Sequence, residues 1–500
     1  MIPLMTHLPH HLYTGAQVRE LDRFATDSFG ISGTILMERA GTAAFQYLTH
    51  HWPKARSIAV VCGTGNNGGD GYVIARLAHE KNLSVKVYQV GEASHVKGDA
   101  LAAVQRLEGA GLSPEAFSNP DLSRVDVIID AVLGTGVEGE VSNYYRQAIE
   151  HINQSGRGVL SIDIPSGLHA DTGVALGCAV KASGTVTFIG MKQGLLTGQG
   201  REYCGELVFA NLNVPMEVYE LRPPSAERID YQRVKNGLTS RPRYLYKGDC
   251  GHVLIVGGDR GFTGAARLAG EAAARIGAGL VSIATRPEHA MVLNASRPEL
   301  MCHGIEEEAS FQQLAERATV IAIGPGLGQS DWSKKMLGYA FESGLPLVMD
   351  ADALNLLSQN MQKRDDWVLT PHPGEAGRML GKAVSEVEQD RFAAIEDLVN
   401  TVGGVVVLKG SGSLIKHGDE LVQVCSGGNP GMASGGMGDV LTGIIAGLIA
   451  QGLVLFEATS LAVALHAEAG DQAAKVAGER GLLASDLMPW VRRLANPANT

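Results

Sequence analysis

The sequence predicts an α/β protein built from two three-layer αβα domains. With 500 residues the chain is too long for a single ordinary core, so at least two domains are expected. Short β-branched runs alternate with helical stretches along most of the chain, which is the pattern of parallel sheets covered on both faces. This alternation occurs in two separate series. The two series therefore predict one sheet for each domain.

The first series has β-branched runs at residues 58–61, 85–88, 127–129, 159–162 and 185–188. The second series has runs at residues 253–256, 280–283, 320–323, 345–349, 367–369 and 405–408. Between residues 213 and 247, prolines and charged residues replace the alternation. We therefore predict a first domain over residues 1–220, a linker over residues 221–240 and a second domain over residues 241–500.

Two helical stretches of the second series stand out. Residues 265–276 are rich in alanine, which suits a helix packed closely against its neighbours. The longest apolar run, residues 440–456, is just short of a membrane span and is interrupted by glycines and polar residues. It predicts a buried helix, and no membrane partner is expected.

Composition narrows the classes of partner and of compartment. The chain carries 42 basic and 53 acidic residues, for a formal net charge of −11, so a broad nucleic-acid surface is not expected. The six cysteines lie far apart, without a CxxC pair or a Cys/His cluster. This spacing predicts neither a zinc site nor a disulfide framework, and it favours a reducing cytoplasm.

The most informative segment is NPGMASGGMGD at residues 429–439, which joins a glycine-dense loop to Asp439 where an apolar helix begins. Glycines let the backbone approach a ligand closely, and the free amides of a first helical turn hold phosphate oxygens. An aspartate at that position can take a proton from a hydroxyl that attacks phosphorus. The alternative is a glycine-rich turn in which Asp439 is an ordinary N-cap.

Four further polar segments follow strands of the second series. They are GPGLG at 324–328, Asp350 with Asp352, TPHPGE at 370–375 and KGSGS at 409–413. A lysine beside glycines can meet a nucleotide phosphate, which makes Lys409 a candidate. Each segment alone fits a plain loop. Because functional residues of such sheets gather at the carboxyl ends of strands, the four together predict one cleft shared with Asp439.

The first domain has a GxGxxG pattern at Gly63, Gly65 and Gly68, but the acidic residue that binds ribose in dinucleotide folds is missing. Asn67, Asp130 and Ser166 follow three strands that we expect to be neighbours. Their oxygens could surround a hard cation, although each residue singly fits a turn or a cap.

Asp163 ends an apolar strand and is a candidate for general acid or base catalysis. Lys192 follows the next strand. It could stabilise developing negative charge or could be a surface lysine, and both interpretations stay open.

The segments GNNGGDG at 65–71, DAVLGTG at 130–136 and DIPSGL at 163–168 resemble the YjeF N-terminal family, the NAD(P)H-hydrate epimerases. The resemblance covers roughly residues 10–215 and implies a Rossmann-like fold with Asp163 at the reacting centre. It also implies K⁺ bound by Asn67, Asp130 and Ser166. The residues that it places at the hydrated nucleotide are Asn66, Asn67, Gly68, Gly69, Asp70, Gly134, Thr135, Gly136, Val137, Glu138, Gly139, Glu140, Tyr145 and Asp163.

The second domain has no GxxxxGK[ST] and no kinase-type HRD or DFG signature. PHPGE at 371–375 and the 429–439 segment resemble the YjeF C-terminal family, the ADP-dependent NAD(P)H-hydrate dehydratases of the ribokinase-like superfamily. The resemblance spans about residues 230–495. It implies that ADP or AMP contacts Lys409, Gly410, Ser411, Gly412, Ser413 and Gly438, and that the hydrate contacts Ala265, Gly326, His372 and Asp439.

The resemblance also implies the reaction. Asp439 deprotonates the C6 hydroxyl of the hydrated nicotinamide ring, and this hydroxyl attacks the terminal phosphate of ADP. Loss of that phosphate regenerates NADH or NADPH, and AMP is released. Mg²⁺ is expected for phosphoryl transfer, although no residue identifies its site.

We therefore expect a bifunctional metabolite-repair enzyme that interconverts the R and S hydrates and dehydrates the S form. The alternative is a ribokinase-type small-molecule kinase fused to a nucleotide-sensing Rossmann-like domain. A homo-oligomer is expected, whereas the choices of ADP over ATP and of NADH over NADPH stay open.

Overall fold

The structure is a computed structural model that describes residues 4–5, 7–295 and 297–496. Its internal contacts divide the chain into two compact units, Met1–Glu227 and Arg228–Thr500. The division falls within the segment 221–240, which contains strand Ala226–Ile229 and helix Tyr231–Val234. The domain limits drawn from the sequence stay a prediction.

The first unit is a parallel sheet with helices on both faces. Its strands are β1 (His11–Tyr13), β2 (Ser57–Cys62), β3 (Ser84–Gln89), β4 (Glu115–Ala116), β5 (Val127–Ala131), β6 (Gly158–Ile162), β7 (Gly184–Phe188), β8 (Met191–Lys192) and β9 (Glu206–Ala210), and β10 (Ala226–Ile229) crosses the limit between the two units. Its helices are α1 (Gly15–Asp27), α2 (Gly33–His51), α3 (Asn66–Glu80), α4 (Gly98–Gly109), α5 (Asn143–Gln154), α6 (Gly200–Tyr203) and α7 (Met216–Glu220).

Seven of these strands form the sheet, in the order β4-β3-β2-β5-β6-β7-β9, and all its pairs are parallel. Alternate residues of β2 pack into different cores. Val60 packs with the side chains of α2, α3 and α4, whereas Val61 packs with Ile149 of α5. This period of two buries both faces of the strand. The five predicted strands are confirmed as β2, β3, β5, β6 and β7.

The second unit has a larger sheet. Its strands are β11 (His252–Val256), β12 (Leu280–Thr285), β13 (Met301–Gly304), β14 (Val320–Ile323), β15 (Leu347–Met349), β16 (Trp367–Leu369), β17 (Val405–Leu408), β18 (Ser413–His417) and β19 (Val422–Cys425). Its helices are α8 (Tyr231–Val234), α9 (Thr263–Ile276), α10 (Pro287–Leu293), α11 (Glu308–Ala315), α12 (Asp331–Glu342), α13 (Asp352–Leu357), α14 (Pro373–Leu380), α15 (Val384–Gln389), α16 (Arg391–Val402), α17 (Met437–Ala450), α18 (Leu455–Ala477) and α19 (Met488–Leu494).

These strands lie in the order β13-β12-β11-β14-β15-β16-β17-β18-β19. The pairs from β13 to β17 are parallel, and β18 and β19 continue the sheet as an antiparallel edge. Each strand predicted for the second series is found, so the α/β prediction is confirmed for both units. The parallel strands place their carboxyl ends along one edge, where a ligand site is expected.

Helices α17 and α9 pack closely because glycines of α17 remove side chains from the contact. A Cβ atom on Gly443 would lie 2.1 Å from the backbone oxygen of Ala269, and one on Gly447 would lie 2.3 Å from the Ile276 side chain. The helix predicted over residues 440–456 ends earlier, at Ala450. Gly452 has a φ of +93°, which a right-handed helix does not contain, and a second helix starts at Leu455.

Across the residues that the structure describes, no helix combines the length and the apolar character needed to cross a membrane.

Candidate active sites in the two units

The first unit contains a cavity of about 710 Å³ where the loops after β2 and β5 meet Asp163, the residue that follows β6. Glycines let these loops touch, since a Cβ atom on Gly63 would lie 1.9 Å from the backbone oxygen of Val132. The predicted hydrate-binding residues that line the cavity are Asn66, Asn67, Asp70, Gly134, Thr135, Gly136, Val137, Tyr145 and Asp163. Gly68, Gly69, Glu138, Gly139 and Glu140 are not among the lining residues.

Gly68 and Gly69 serve the packing of α3. A Cβ atom on Gly68 would lie 2.1 Å from the backbone oxygen of Gly63, and one on Gly69 would lie 2.5 Å from the Met37 side chain. Glu140 lies outside the cavity lining and forms an ion pair with Arg146 at 2.8 Å. Gly68, Gly69 and Glu140 therefore lie outside the cavity lining, and their contact with the hydrate stays a prediction.

The three predicted cation ligands come together at one wall of this cavity. Asp130 is fully buried and accepts hydrogen bonds from Ser161 Oγ at 2.7 Å and from Ser166 Oγ at 2.5 Å. Both other predicted ligands contact Leu133: its backbone oxygen accepts from Asn67 Nδ2 at 2.9 Å, and its N–H donates to Ser166 Oγ at 2.8 Å. The structure therefore brings Asn67, Asp130 and Ser166 to one place.

One side-chain oxygen among the three predicted ligands lacks a hydrogen-bond partner, which bears on whether a cation fits there. Asn67 Oδ1 is buried and has no hydrogen-bond partner among the described residues. A buried amide oxygen without a partner is costly, so a bound cation would satisfy it. Burial also raises the pKa of Asp130, and a cation would hold its carboxylate ionised. One carboxylate with neutral oxygens suits a weakly charged cation, and the donor set fits K⁺.

Asp163 is held by a buried lysine. Its Oδ1 accepts from the Lys192 ammonium, from the Phe188 N–H at 3.1 Å and from Thr187 Oγ1 at 3.3 Å. Lys192 is fully buried and also donates to Thr187 Oγ1 at 3.1 Å and to the Phe188 carbonyl at 3.0 Å. The interpretation of Lys192 as a surface residue is therefore wrong.

The backbone of Asp163 is unusual as well. Its φ of +66° lies in the left-handed region, which costs a non-glycine residue roughly 1–3 kcal/mol. Asparagine and aspartate adopt this conformation more readily than other residues. Strain of this kind clusters at functional sites, and here it accompanies a carboxylate that lines the cavity.

Sequence reasoning missed Asp22 of α1, which also lines the cavity. Burial raises the pKa of Asp22 to about 7, against the opposing effect of Lys192. Burial together with Asp163 and Asp22 raises the pKa of Asp70 well above its usual value. A signal did exist, because Asp22 directly follows Leu21 on the buried stripe of an amphipathic helix.

In the second unit, Asp439 lies in the first turn of α17. The N-cap of this helix is Gly436, with a φ of +91°, so the alternative in which Asp439 is the cap is wrong. Burial and the nearby carboxylate of Asp350 together raise the pKa of Asp439 to about 6, whereas Lys409 opposes the shift. Asp439 therefore has the raised pKa that suits a general base near neutral pH.

Gly438 leaves room for a charged pair beside Asp439. A Cβ atom on Gly438 would lie 3.1 Å from Asp350 Oδ2 and 3.4 Å from Lys409 Nζ. Lys409 Nζ donates to Asp350 Oδ1 at 2.6 Å, and Thr442 Oγ1 donates to Asp350 Oδ2 at 3.0 Å. Although burial opposes its ionisation, these donors lower the pKa of Asp350. The structure therefore brings Lys409, Gly438 and Asp439 together around an ionised Asp350.

His372 is the N-cap of α14 and belongs to a capping box. The ring Nδ1 of His372 accepts from the Gly374 N–H at 2.9 Å, and the backbone N–H of His372 donates to Glu375 Oε2 at 2.8 Å. Burial and the Lys409 charge lower the pKa of His372, which suits the acceptor role of Nδ1. Lys409 is joined to the same loop because its N–H donates to the Pro371 carbonyl at 2.9 Å.

Ala265 and Gly326 meet where the loops after β11 and β14 approach. Gly326 has a φ of +56°, and a Cβ atom on it would lie 2.5 Å from the backbone oxygen of Phe262 and 3.1 Å from the Ala265 side chain. Leu268, about one turn after Ala265 on α9, lies 2.6 Å from the Cβ position of Gly436. Both predicted hydrate contacts therefore lie near the loop that precedes Asp439.

The predicted ADP-binding residues Lys409, Gly410, Ser411 and Gly412 form the turn between β17 and Ser413, the first residue of β18. Sequence reasoning missed the residue beneath this turn, Arg391. This arginine is almost fully buried and donates to the carbonyls of Leu408 at 3.0 Å and of Lys409 at 3.3 Å. It also missed Asp471 of α18, which accepts from the Gly428 N–H and from Asn429 Nδ2, each at 2.9 Å. No local pattern distinguishes either residue in the sequence.

Two α/β units, each with a polar cluster at the carboxyl ends of parallel strands, define a two-site α/β protein of the nucleotide-handling class. Residues 253–493 match the family described as NAD(P)H-hydrate dehydratase, and residues 33–194 match the family described as YjeF-related protein N-terminus. The chain belongs to the family of bifunctional NAD(P)H-hydrate repair enzymes.

Full-length relatives support this assignment. The bifunctional NAD(P)H-hydrate repair enzyme Nnr of Coxiella burnetii is 50% identical over 97% of this chain and 99% of its own length. The protein of the same name from Escherichia coli K12 is 41% identical over 99% of this chain and 95% of its own length. These relatives favour the repair enzyme over the small-molecule kinase.

A solved structure is similar to the second unit. It is a ribokinase-like superfamily protein from Enterococcus faecalis V583, with a TM-score of 0.51 and 32% identity, and the match covers 54% of this chain and 95% of that chain. The ribokinase-like fold expected for the second unit is therefore confirmed.

Proposed function

We propose that the second unit dehydrates the S form of hydrated NADH or NADPH while ADP is converted to AMP and phosphate. The observation that carries this proposal is the position of Asp439, a half-buried carboxylate with a pKa of about 6 in the first turn of α17. The free amides of that turn and the positive end of the helix dipole favour phosphate beside it. A base and a phosphate site thus share one helix end.

In this proposal, the Asp439 carboxylate takes the proton of the C6 hydroxyl as the hydroxyl oxygen attacks the terminal phosphorus of ADP. The bond from that phosphorus to the AMP oxygen breaks. The new C6–O–phosphate bond then breaks with loss of phosphate, and loss of a ring proton restores the dihydronicotinamide. Lys409 supplies positive charge where phosphate charge develops, and the turn of residues 409–413 holds the nucleotide.

Mg²⁺ is part of the proposal, because it neutralises charge on the phosphates when it is bound. Mg²⁺ commonly binds through substrate phosphates and one or two carboxylates. The described residues include no group of three or more His, Cys, Asp and Glu side chains arranged to hold a metal ion. In the proposal, Mg²⁺ is held mainly by the phosphates of ADP, and Asp350 is the nearby carboxylate available to it.

The first unit, in the same proposal, interconverts the R and S hydrates at the cavity that contains Asp163. Asn67, Asp130 and Ser166 would hold K⁺, and the cation would supply positive charge next to the loops that contain these residues. Supporting observations are the unpartnered oxygen of Asn67 and the ion pair that Asp163 forms with the buried Lys192. The first activity feeds the second, since only one epimer is dehydrated.

The test supplies mixed hydrates with ADP or with ATP and follows the absorbance of the reduced nucleotide. For Asp439→Asn we expect the dehydration rate to fall by about 10²–10⁴, the usual contribution of a general base. Asp331→Asn is the matched control, because Asp331 is in the same unit and its side chain is 96% exposed. Full recovery of the reduced nucleotide by Asp439→Asn would contradict the proposed base.

A cytoplasmic location and a homo-oligomer complete the proposal. All six cysteines are free thiols in the structure, which agrees with a reducing compartment. Light scattering of the purified chain would measure the oligomeric state.

A further inference from the structure

Asp22 is a carboxyl group at the first-unit cavity that none of the motifs includes. It lies on α1, outside residues 33–194, which match the family of the first unit. It lines the same cavity as Asp163 and interacts electrostatically with both Asp163 and Lys192. Asp22 therefore faces the space in which the hydrate is proposed to bind.

The wall that carries Asp22 is held on two sides. Val18, Leu21 and Ala25 of α1 are buried in the core of the unit. On the cavity side, Arg19 Nη1 donates to the backbone oxygen of Thr135 at 3.0 Å, and Thr135 belongs to the predicted hydrate-binding loop. The helix that presents Asp22 is thus tied directly to that loop.

The groups around Asp22 differ in their ability to exchange a proton near neutral pH. Asp22 itself has a pKa of about 7 because of its burial. Asp70 on α3 has a pKa raised well above its usual value, so it keeps its proton. Burial raises the pKa of both Tyr219 on α7 and Tyr13 on β1, so these phenols are neutral. Asp22 can therefore exchange a proton near neutral pH.

Lys192 is not available for proton donation to a ligand. Its ammonium donates to Asp163 Oδ1, to Thr187 Oγ1 and to the Phe188 carbonyl, which accounts for its three N–H groups. Asp163 therefore acts as a hydrogen-bond acceptor in this pair, and the donor role falls to another group.

We propose that Asp22 is the general acid of the epimerisation and acts on the hydrate together with Asp163 as the base. This inference rests on the proposed epimerase function of the first unit. It assigns a catalytic residue to a helix that the recognised sequence motifs do not cover.

The reaction balances without an oxidant or a reductant. The Asp22 carboxylic acid gives its proton to the C6 hydroxyl oxygen, the C6–O bond breaks, and the ring nitrogen lone pair forms an N=C6 double bond as water leaves. Water then adds to the other face of C6, the nitrogen recovers its lone pair, and the Asp163 carboxylate accepts the proton. Transfer of that proton through water from Asp163 to Asp22 closes the cycle.

The test uses the full-length chain with the R hydrate and ADP, so that reduced nucleotide forms only after epimerisation. For Asp22→Asn we expect the epimerisation rate to fall by about 10²–10⁴, with the KM for the R hydrate little changed. Turnover of the S hydrate by the second unit should match wild type. Asp22→Glu should recover part of the rate because it restores an acid.

The matched control is Glu20→Gln, since Glu20 lies on the same helix but pairs with Arg222 at 2.7 Å outside the cavity. The wild-type epimerisation rate should also fall as the pH rises through about 7, because the active form of Asp22 is protonated. An Asp22→Asn variant that epimerises within threefold of wild type, or a flat wild-type rate between pH 6 and pH 8, would overturn the inference. A wild-type chain that does not convert the R hydrate would instead contradict the proposed epimerase function.

Discussion

Each candidate site contains an ion pair between a lysine and an aspartate, but the pair has a different role in each site. In the first unit a buried lysine, Lys192, pairs with Asp163, the proposed catalytic carboxylate itself. In the second unit Lys409 pairs with Asp350 at 2.6 Å, and the proposed catalytic carboxylate, Asp439, stands beside the pair. The carboxylate of Asp163 is held by Lys192. The carboxylate of Asp439 has burial and the charge of Asp350 around it, and both disfavour its ionised form. Their contributions to stability should therefore have opposite signs.

The largest effect is expected where a buried pair is broken. Asp163→Asn leaves the fully buried Lys192 without its charged partner, and such changes cost about 3–5 kcal/mol. We expect the unfolding free energy of the first unit to fall by this amount in a denaturant titration. Glu140→Gln is the control, because its ion pair with Arg146 is largely exposed. A loss below about 1 kcal/mol would mean that the pair does not hold Asp163.

A smaller effect of opposite sign is expected for Asp439→Asn. The folded-state pKa of Asp439 is raised from 3.8 to about 6, so folding favours the protonated carboxyl. The ionised group therefore destabilises the second unit above pH 6, by about 2–3 kcal/mol at full ionisation. Asp439→Asn should be more stable than wild type at pH 8 by that amount. The difference should vanish below pH 4, where the carboxyl is protonated in both states.

The pH dependence of dehydration provides the third measurement. Asp439 acts as a base only when it is ionised. The rate of dehydration of the S hydrate should therefore rise with pH and level off above about pH 6. Below that value the rate should fall about tenfold for each pH unit. Epimerisation should show the reverse trend through pH 7 if Asp22 is its acid. If both rates changed with pH in the same direction, the proposed contrast between a base in the second unit and an acid in the first unit would be wrong.

The smallest effect is expected from K⁺. Binding to the folded state alone stabilises the first unit by RT ln(1 + [K⁺]/Kd), which is about 1.4 kcal/mol at ten times Kd. Thermal unfolding in KCl against tetramethylammonium chloride should show this shift in wild type but not in Asn67→Leu. The second unit serves as the internal reference, since its unfolding should respond equally to both salts. An equal response of the first unit in both proteins would argue against the cation site.

The sequence was most informative about strands and about the loops at their ends. All the predicted strands are present, because a parallel sheet buried on both faces needs continuous β-branched runs that are visible locally. The end of α17 was misjudged because hydrophobicity continues through Gly452, whereas its backbone conformation ends the helix. Lys192 could not be assigned from sequence, since its burial depends on the contacts of its ammonium with Asp163 and Thr187.

By itself, the sequence determined the α/β class, the two series of strands and the glycine loops that lead to Asp439 and Asp163. These features are local, because glycine density, β-branched runs and residue order do not depend on distant contacts. Only the tertiary structure decided which carboxylates form ion pairs and which have a raised pKa. Asp350 is paired with Lys409, whereas the pKa of Asp439 is raised. That division depends on burial and on charges brought together from distant positions, and Asp22 reaches its cavity through the same long-range packing.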